Sequence, residues 1–246
     1  MERNMHFEVT GLTDIAVRLA WAQMEVFADD VDKIQVLAAG DEGSVQDLRI
    51  GVKGNVLVVE QPQYGLSLNI TESRWMQLCI RIPRTWNQEI HLNTISGLLS
   101  TRGLQGSRIV LDTISGDLQA NRLMAQEITL KTISGEIRGD KLEGKTLLVR
   151  SVSGDQRMDE VEAETIKCNS INGEQNYHFT KAFCQLDANT VSGNITLSAP
   201  IEKAQVSMRS ISGRVRTEGV ELVEEESAPK VNVTGVSSEL KLIAIS

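Results

Sequence analysis

The sequence predicts an all-β fold: a single-stranded parallel β-helix of about eight coils, each 19–20 residues long, behind an irregular β cap. Three observations carry this expectation. A four-residue phrase recurs at a fixed interval, two apolar positions recur before it with strand alternation, and the unit is too short to bury its own face. The phrase reads Thr94-Ile95-Ser96-Gly97, Thr113-Ile114-Ser115-Gly116, Thr132-Ile133-Ser134-Gly135, Ser151-Val152-Ser153-Gly154, Ser170-Ile171-Asn172-Gly173, Thr190-Val191-Ser192-Gly193 and Ser210-Ile211-Ser212-Gly213. Its glycines step by 19, 19, 19, 19, 20 and 20 residues, and a fixed period of this kind is the signature of a repeat architecture.

Four residues before each phrase stand Ile90, Ile109, Ile128, Leu147, Ile166, Leu186 and Val206. Two residues before it stand Leu92, Leu111, Leu130, Val149, Cys168, Ala188 and Met208. The positions between them are mostly polar, and this period of two describes a strand with one buried face. No 3.6-residue period persists in the repeat, so helices are not its unit. One such unit cannot form a core alone, and neighbours must stack about 4.8 Å apart. Glycine at each bend supplies positive φ at little cost, and the Thr/Ser and Ser/Asn columns are placed to hydrogen-bond along the stack. A propeller or stacked meander is the alternative, but a propeller blade takes about 40 residues.

An eighth copy is expected at Val231, Val233 and Gly235-Val236-Ser237-Ser238, with its glycine lost, continued by Leu240, Leu242 and Ile245. The acidic stretch from Glu221 to Ala228 is expected to bulge as a loop from the last turn. Residues 1–88 lack the phrase but alternate as strands at Ile15, Val17, Leu19 and Trp21, at Leu66, Leu68 and Ile70, and at Leu78, Ile80 and Ile82. Val56-Leu57-Val58-Val59 reads as a short buried run and Gly40-Asp41-Glu42-Gly43 as a loop. Residues 1–88 are thus expected to form an N-terminal β cap with irregular first coils, continuous with a regular solenoid over residues 89–246.

Composition narrows the function classes. The chain of 246 residues is 41% hydrophobic, 24% charged and only 4% aromatic, with a net charge of −8. That charge is spread evenly, so neither nucleic acid nor an anionic membrane surface is an expected partner. There is no apolar run long enough to span a membrane. The first residues, Met1-Glu2-Arg3-Asn4-Met5-His6, lack the apolar core of a secretory signal, which points to a cytoplasmic location.

The repeated T-[IV]-S-G phrase, the strand Ile80-Arg81-Ile82-Pro83 leading to Leu92-Asn93-Thr94-Ile95-Ser96-Gly97, and the early Val/Ile strands together resemble the DUF4097 family. Its members are often called putative adhesins or β-strand repeat proteins. The resemblance covers nearly the whole chain. It implies a right-handed single-stranded β-helix, a bacterial origin, no established catalytic activity, and a possible place at the cell surface or in envelope-stress responses.

Residues able to carry chemistry do not converge in the sequence, and no catalytic, cofactor-binding or metal-ligating residue is assigned. His6, His91 and His178 are far apart, and neither a Cys-x-x-Cys pair nor a Gly-x-Ser-x-Gly elbow occurs. Cys168 stands in a buried column and reads as a small hydrophobe; its offset along the strand from Cys184 is too large for a disulfide. The serine–glycine phrases read as architecture rather than as phosphate cradles, because no helix follows them. One constellation stands out. Asp117, Glu136, Asp155 and Glu174 follow the phrase glycine in four successive copies, with Arg138 and Arg157 two residues further on. This reads as a surface lattice of alternating sign, with a weak Ca²⁺ site as the sharper alternative.

The leading functional expectation is a non-enzymatic scaffold that binds a protein or envelope component through its faces, without a cofactor. The alternative is a soluble regulatory component of an envelope-stress response. A pectate-lyase-like carbohydrate-active enzyme ranks below both, because Trp21, Trp75 and Trp86 all precede the regular repeats.

Overall fold

The structure is a computed structural model and describes residues 1–62 and 75–245. In chain order the elements are β1 (Glu2–Phe7), β2 (Asp14–Trp21), β3 (Gln23–Asp29), β4 (Ile34–Gly40), the short helix α1 (Glu42–Asp47), β5 (Arg49–Lys53), β6 (Val56–Glu60), β7 (Met76–Pro83), β8 (Glu89–Ser96) and β9 (Leu99–Arg102). The repeats supply β10 (Gln105–Ser115), β11 (Leu118–Lys131), β12 (Ile137–Arg150), β13 (Gln156–Asn172), β14 (Gln175–Phe179), β15 (Gln185–Ser192), β16 (Ile195–Ala199), β17 (Lys203–Glu218), β18 (Glu221–Leu222) and β19 (Lys230–Ala244). The protein is all-β, as its alternation predicts. The expected strand at Leu66, Leu68 and Ile70 lies outside the described residues.

The repeats pair in parallel, and the register is the sequence period. Ile90, Ile109, Ile128, Leu147 and Ile166 are successive partners, as are Leu92, Leu111, Leu130, Val149 and Cys168. Both columns are buried as far as Leu186 and Ala188, and again at Val231 and Val233. They form one core together with Leu118, Ile137, Leu142, Ile195, Leu197, Leu240 and Leu242.

The phrase glycines do more than permit a bend. Gly97, Gly135, Gly154, Gly173 and Gly193 have positive φ. A Cβ on Gly116, Gly135, Gly154, Gly173 or Gly193 would collide with the carbonyl oxygen of the glycine one repeat earlier. At these five bends backbone therefore rests on backbone, and only glycine allows that approach.

The ladder does not follow chain order at its ends. β2 lies between β6 and β8, and β3 between β7 and β9, all in parallel. Residues 14–29 are thus inserted between two later segments. Beyond them, β4 pairs antiparallel with β7, β1 with β4, and β5 with β6. At the other end, β19 pairs with β15 and β16 on one side and with β17 on the other. The eighth copy therefore lies inside the stack, and the seventh, β17, ends it. This corrects the expectation of a simple last turn with a bulge. The acidic stretch is the crossover that carries the chain past β17, anchored by buried Val220 and Ala228 and by β18 against Lys203 and Ala204.

Two smaller expectations are corrected. Residues 40–43 do not form a plain loop, because Asp41 caps α1 by accepting from the Ser44 amide at 2.9 Å, while Val45 and Leu48 are buried. In the Thr/Ser column Thr94 Oγ1 donates to Ser96 O at 3.0 Å and Ser170 Oγ to Asn172 O at 3.2 Å within their own copies, while the buried Thr113, Thr132 and Thr190 hydroxyls have no hydrogen-bond partner among the described residues. Along the stack the Ser151 and Ser170 hydroxyls are bonded at 3.2 Å, and Ser210 Oγ donates to Val236 O at 3.1 Å. The third position of the phrase is linked along the stack by main-chain bonds, such as Ser134 N to Ile114 O at 2.8 Å. No helix among the described residues is long and apolar enough to cross a membrane.

Candidate binding surface

The strand parity that buries Ile90, Leu92 and Thr94 turns Ile95 outward. The same holds in every copy, so the second residue of the phrase forms an outward row. Its members in stacking order are Ile95, Ile114, Ile133, Val152, Ile171, Val191, Val236 and Ile211. The first seven are 39–48% exposed and Ile211 is 85% exposed. Eight apolar side chains at strand spacing make a ridge about 34 Å long. The outward row two residues earlier is polar throughout, with Asn93, Asp112, Lys131, Arg150, Asn169, Asn189 and Arg209. A continuous apolar strip on this scale is uncommon on a protein surface, which makes it the candidate interaction site.

The ridge is edged by charge. Three positions after each ridge residue run Leu98, Asp117, Glu136, Asp155, Glu174, Asn194, Glu239 and Arg214. The structure thus brings Asp117, Glu136, Asp155 and Glu174 into one column, as their spacing requires, and extends it to Glu239. Like charges at strand spacing repel unless they are satisfied. Asp117 Oδ1 accepts from the Glu136 amide at 3.0 Å, and Asp155 Oδ1 from the Glu174 amide at 2.9 Å. Asn194 Nδ2 donates to Glu174 Oε1 at 3.2 Å. Arg138 pairs with Glu136 at 2.6 Å, while Arg157 turns to Asp159 at 3.1 Å rather than to the column. In both Asp–Glu steps the shorter side chain reaches forward to the amide of the next copy. Among the described residues no group of three or more His, Cys, Asp or Glu is arranged to hold a metal ion.

The other candidates separate. His91 faces outward, with Nδ1 at 3.4 Å from Asp14 and Nε2 at 3.4 Å from Glu89. Burial raises the Asp14 carboxyl above its ordinary value, against the pull of His91. Cys168 is fully enclosed, and burial pushes its thiol up to about 12. Tyr177 beside it donates to Gln156 Oε1 at 2.6 Å and is likewise raised by burial. Cys79, Cys168 and Cys184 are free thiols. Trp86 is buried in the core and so offers no platform for a sugar ring. The sequence reading missed the Ile/Val ridge, although strand parity places it outside.

Comparison with known proteins gives a consistent picture. The Toastrack DUF4097 family model matches residues 12–241. A solved structure described as a putative lipid binding protein from Parabacteroides distasonis superposes with a TM-score of 0.60 at 12% identity, covering 98% of this chain and 96% of that one. A putative adhesin from Bacteroides fragilis superposes with a TM-score of 0.53 at 16% identity, covering 98% and 97%. At these identities the likeness concerns the fold. No curated protein matches the chain.

Proposed function

Because the chain belongs to the Toastrack DUF4097 family, we propose that it is a non-enzymatic binding scaffold. In this reading residues 1–88 cap, and residues 89–246 build, one continuous β-helix of eight coils. Its working surface is the Ile/Val ridge, and its partner is a protein or an envelope component of the bacterial surface. The exposed row from Ile95 to Ile211 is the observation that carries the proposal. Such a row contributes nothing to the core, and an apolar strip left in water is useful only when covered.

The flanking charges describe the partner. The column Asp117, Glu136, Asp155, Glu174 and Glu239 favours a surface that offers an apolar strip with basic residues along one rim. A lipid surface fits less well, since anionic headgroups would meet the same carboxylates. A photo-crosslinker at Ile133 in the purified protein, compared with one at exposed Lys145, remote in the coil from the ridge and its carboxylates, tests this in envelope extracts of the producing bacterium. The expected result is a discrete adduct from Ile133 alone, competed by unlabelled protein and lost in Ile114→Asp with Val152→Asp. Equal labelling from both positions, or none from the ridge, contradicts it.

A further inference from the structure

The last strand of the stack differs from every other rung of the ladder. β17 pairs with β19 from Gln205 to Glu218, whereas on its opposite edge β18 covers only Lys203 and Ala204. Among the described residues no strand takes the remainder of that edge. Its core-facing Val206, Met208 and Val215 are only partly buried. The strand is also basic, with Lys203, Arg209, Arg214 and Arg216 against Glu218, in a chain of net charge −8. Arg216 is held by Glu239 at 3.1 Å and Lys203 by Glu225 at 3.2 Å. Arg209 and Arg214 are exposed and form no ion pair among the described residues. Arg214 closes the carboxylate column with the opposite sign. It stands at a shallow groove of ≈ 420 Å³ shared with Ile211, Gly213, Ser238 and Glu239.

We propose that the free edge of β17 accepts an extended acidic segment of a partner protein as an added strand. Main-chain pairing along an open edge supplies the attraction, and alternate side chains supply the selection. Apolar residues of the added segment would cover Val206 and Met208, and carboxylates on its outward side would meet Arg209 and Arg214. The chain's own continuation begins this arrangement. Glu221 and Leu222 lie parallel on Lys203 and Ala204, and Glu225 binds Lys203, before the segment leaves the edge. A second copy of the chain fits poorly. Two β17 edges would set cationic rows against each other, and β1 and β5, the outermost strands of the opposite end among the described residues, also carry Arg3, Arg49 and Lys53. The proposal rests on the scaffold reading for the idea that a protein is bound, but it uses the open edge of β17, which meets the ridge only at its last member, Ile211.

The test titrates the full chain into a fluorescent peptide of about ten residues, the length of a long strand, alternating valine and glutamate, and into its valine–lysine counterpart. The acidic peptide should bind and the basic one should not. Arg209→Glu with Arg214→Glu should weaken the acidic peptide at least about tenfold and admit the basic one. Binding should slow amide exchange over residues 205–218. Should the double variant melt early, about 1 M salt on the unaltered protein should weaken the acidic peptide instead, since exposed charges are then screened. Ile114→Asp with Val152→Asp should leave peptide affinity unchanged, which separates failure of the edge from failure of the ridge. Equal binding of both peptides, no binding, or affinity indifferent to the double reversal and to salt overturns the proposal. So does a concentration-dependent doubling of mass in light scattering, which would make a second copy the occupant.

Discussion

The strands β12 and β17 carry the same repeat and differ in what lies beside them. In the repeat of β12, Leu147 and Val149 are almost wholly enclosed and Val152 is 39% exposed, while the equivalents in β17 are the partly buried Val206 and Met208 and an Ile211 that is 85% exposed. Gly154 rests on Gly135 of the preceding copy; the atoms nearest a Cβ on Gly213 belong to Met208 and Ser210 of its own strand. Nothing intrinsic to the repeat buries it. A copy is as enclosed as its two neighbours make it, as expected for a quasi-one-dimensional stack. The two ends resolve this differently. The first end is closed by antiparallel strands and α1, whereas the last leaves a basic edge.

The comparison is broken most severely by charge in the core. Ile128→Asp should cost about 3–5 kcal/mol by burying an unpaired carboxylate between two copies. Val206→Asp should cost much less, because water reaches that end. Equal losses in chemical denaturation would contradict the assignment of β17 to the end. Next in size is the bend. Gly154→Ala should cost about 2–4 kcal/mol by forcing apart two backbones at positive φ. Gly213→Ala would meet the Met208 methyl and the Ser210 side chain rather than a neighbouring backbone, and should cost less than Gly154→Ala. Melting temperatures of the two variants decide between these outcomes.

The inward columns are readable from the sequence because period two fixes which side chains face the core. The order of stacking is not. Every copy offers the same apolar columns, so Val231 can pair with Leu186 or lie outside Val206 with equal local chemistry. The insertion of β19 depends on a crossover whose residues, Glu221 to Ala228, show only their acidity. The ridge is implied by parity, yet its isoleucines and valines read as core until the bend is seen to hold them outside. The carboxylate column is readable as a position. Its bonding to amides depends on side-chain reach across a bend. α1 is obscured by Gly43, although Asp41 and Ser44 stand at capping distance.

Smaller effects sharpen the account of the carboxylates. Asp155→Ala should remove one bond to the Glu174 amide and cost about 0.5–1 kcal/mol. Millimolar Ca²⁺ should leave the melting temperature of the parent protein almost unmoved; a rise of many degrees, lost in Asp155→Asn, would make the column a metal site. Asp112 is raised above its ordinary value by burial, opposed by Lys131. A raised carboxyl favours the folded state when protonated, so its ionised form is a burden at neutral pH. That burden disappears as pH falls below the ordinary value of 3.8. Asp112→Asn should therefore raise the melting temperature slightly at pH 7, and the gain should vanish at about pH 3. A gain that persists in acid would contradict the sign.

Amide hydrogen exchange read strand by strand tests most directly the claim that neighbours, rather than the repeat itself, set the state of each copy. Opening free energies are lowest at frayed edges and highest in enclosed strands. With β19 held between β15 and β17, the amides of Val231, Val233, Leu240 and Leu242 should be among the slowest to exchange. Those of β17, from Gln205 to Glu218, should be the fastest of any repeat strand. The reverse order, with β17 protected and β19 open, would show that the copies stack in chain order and would contradict the account.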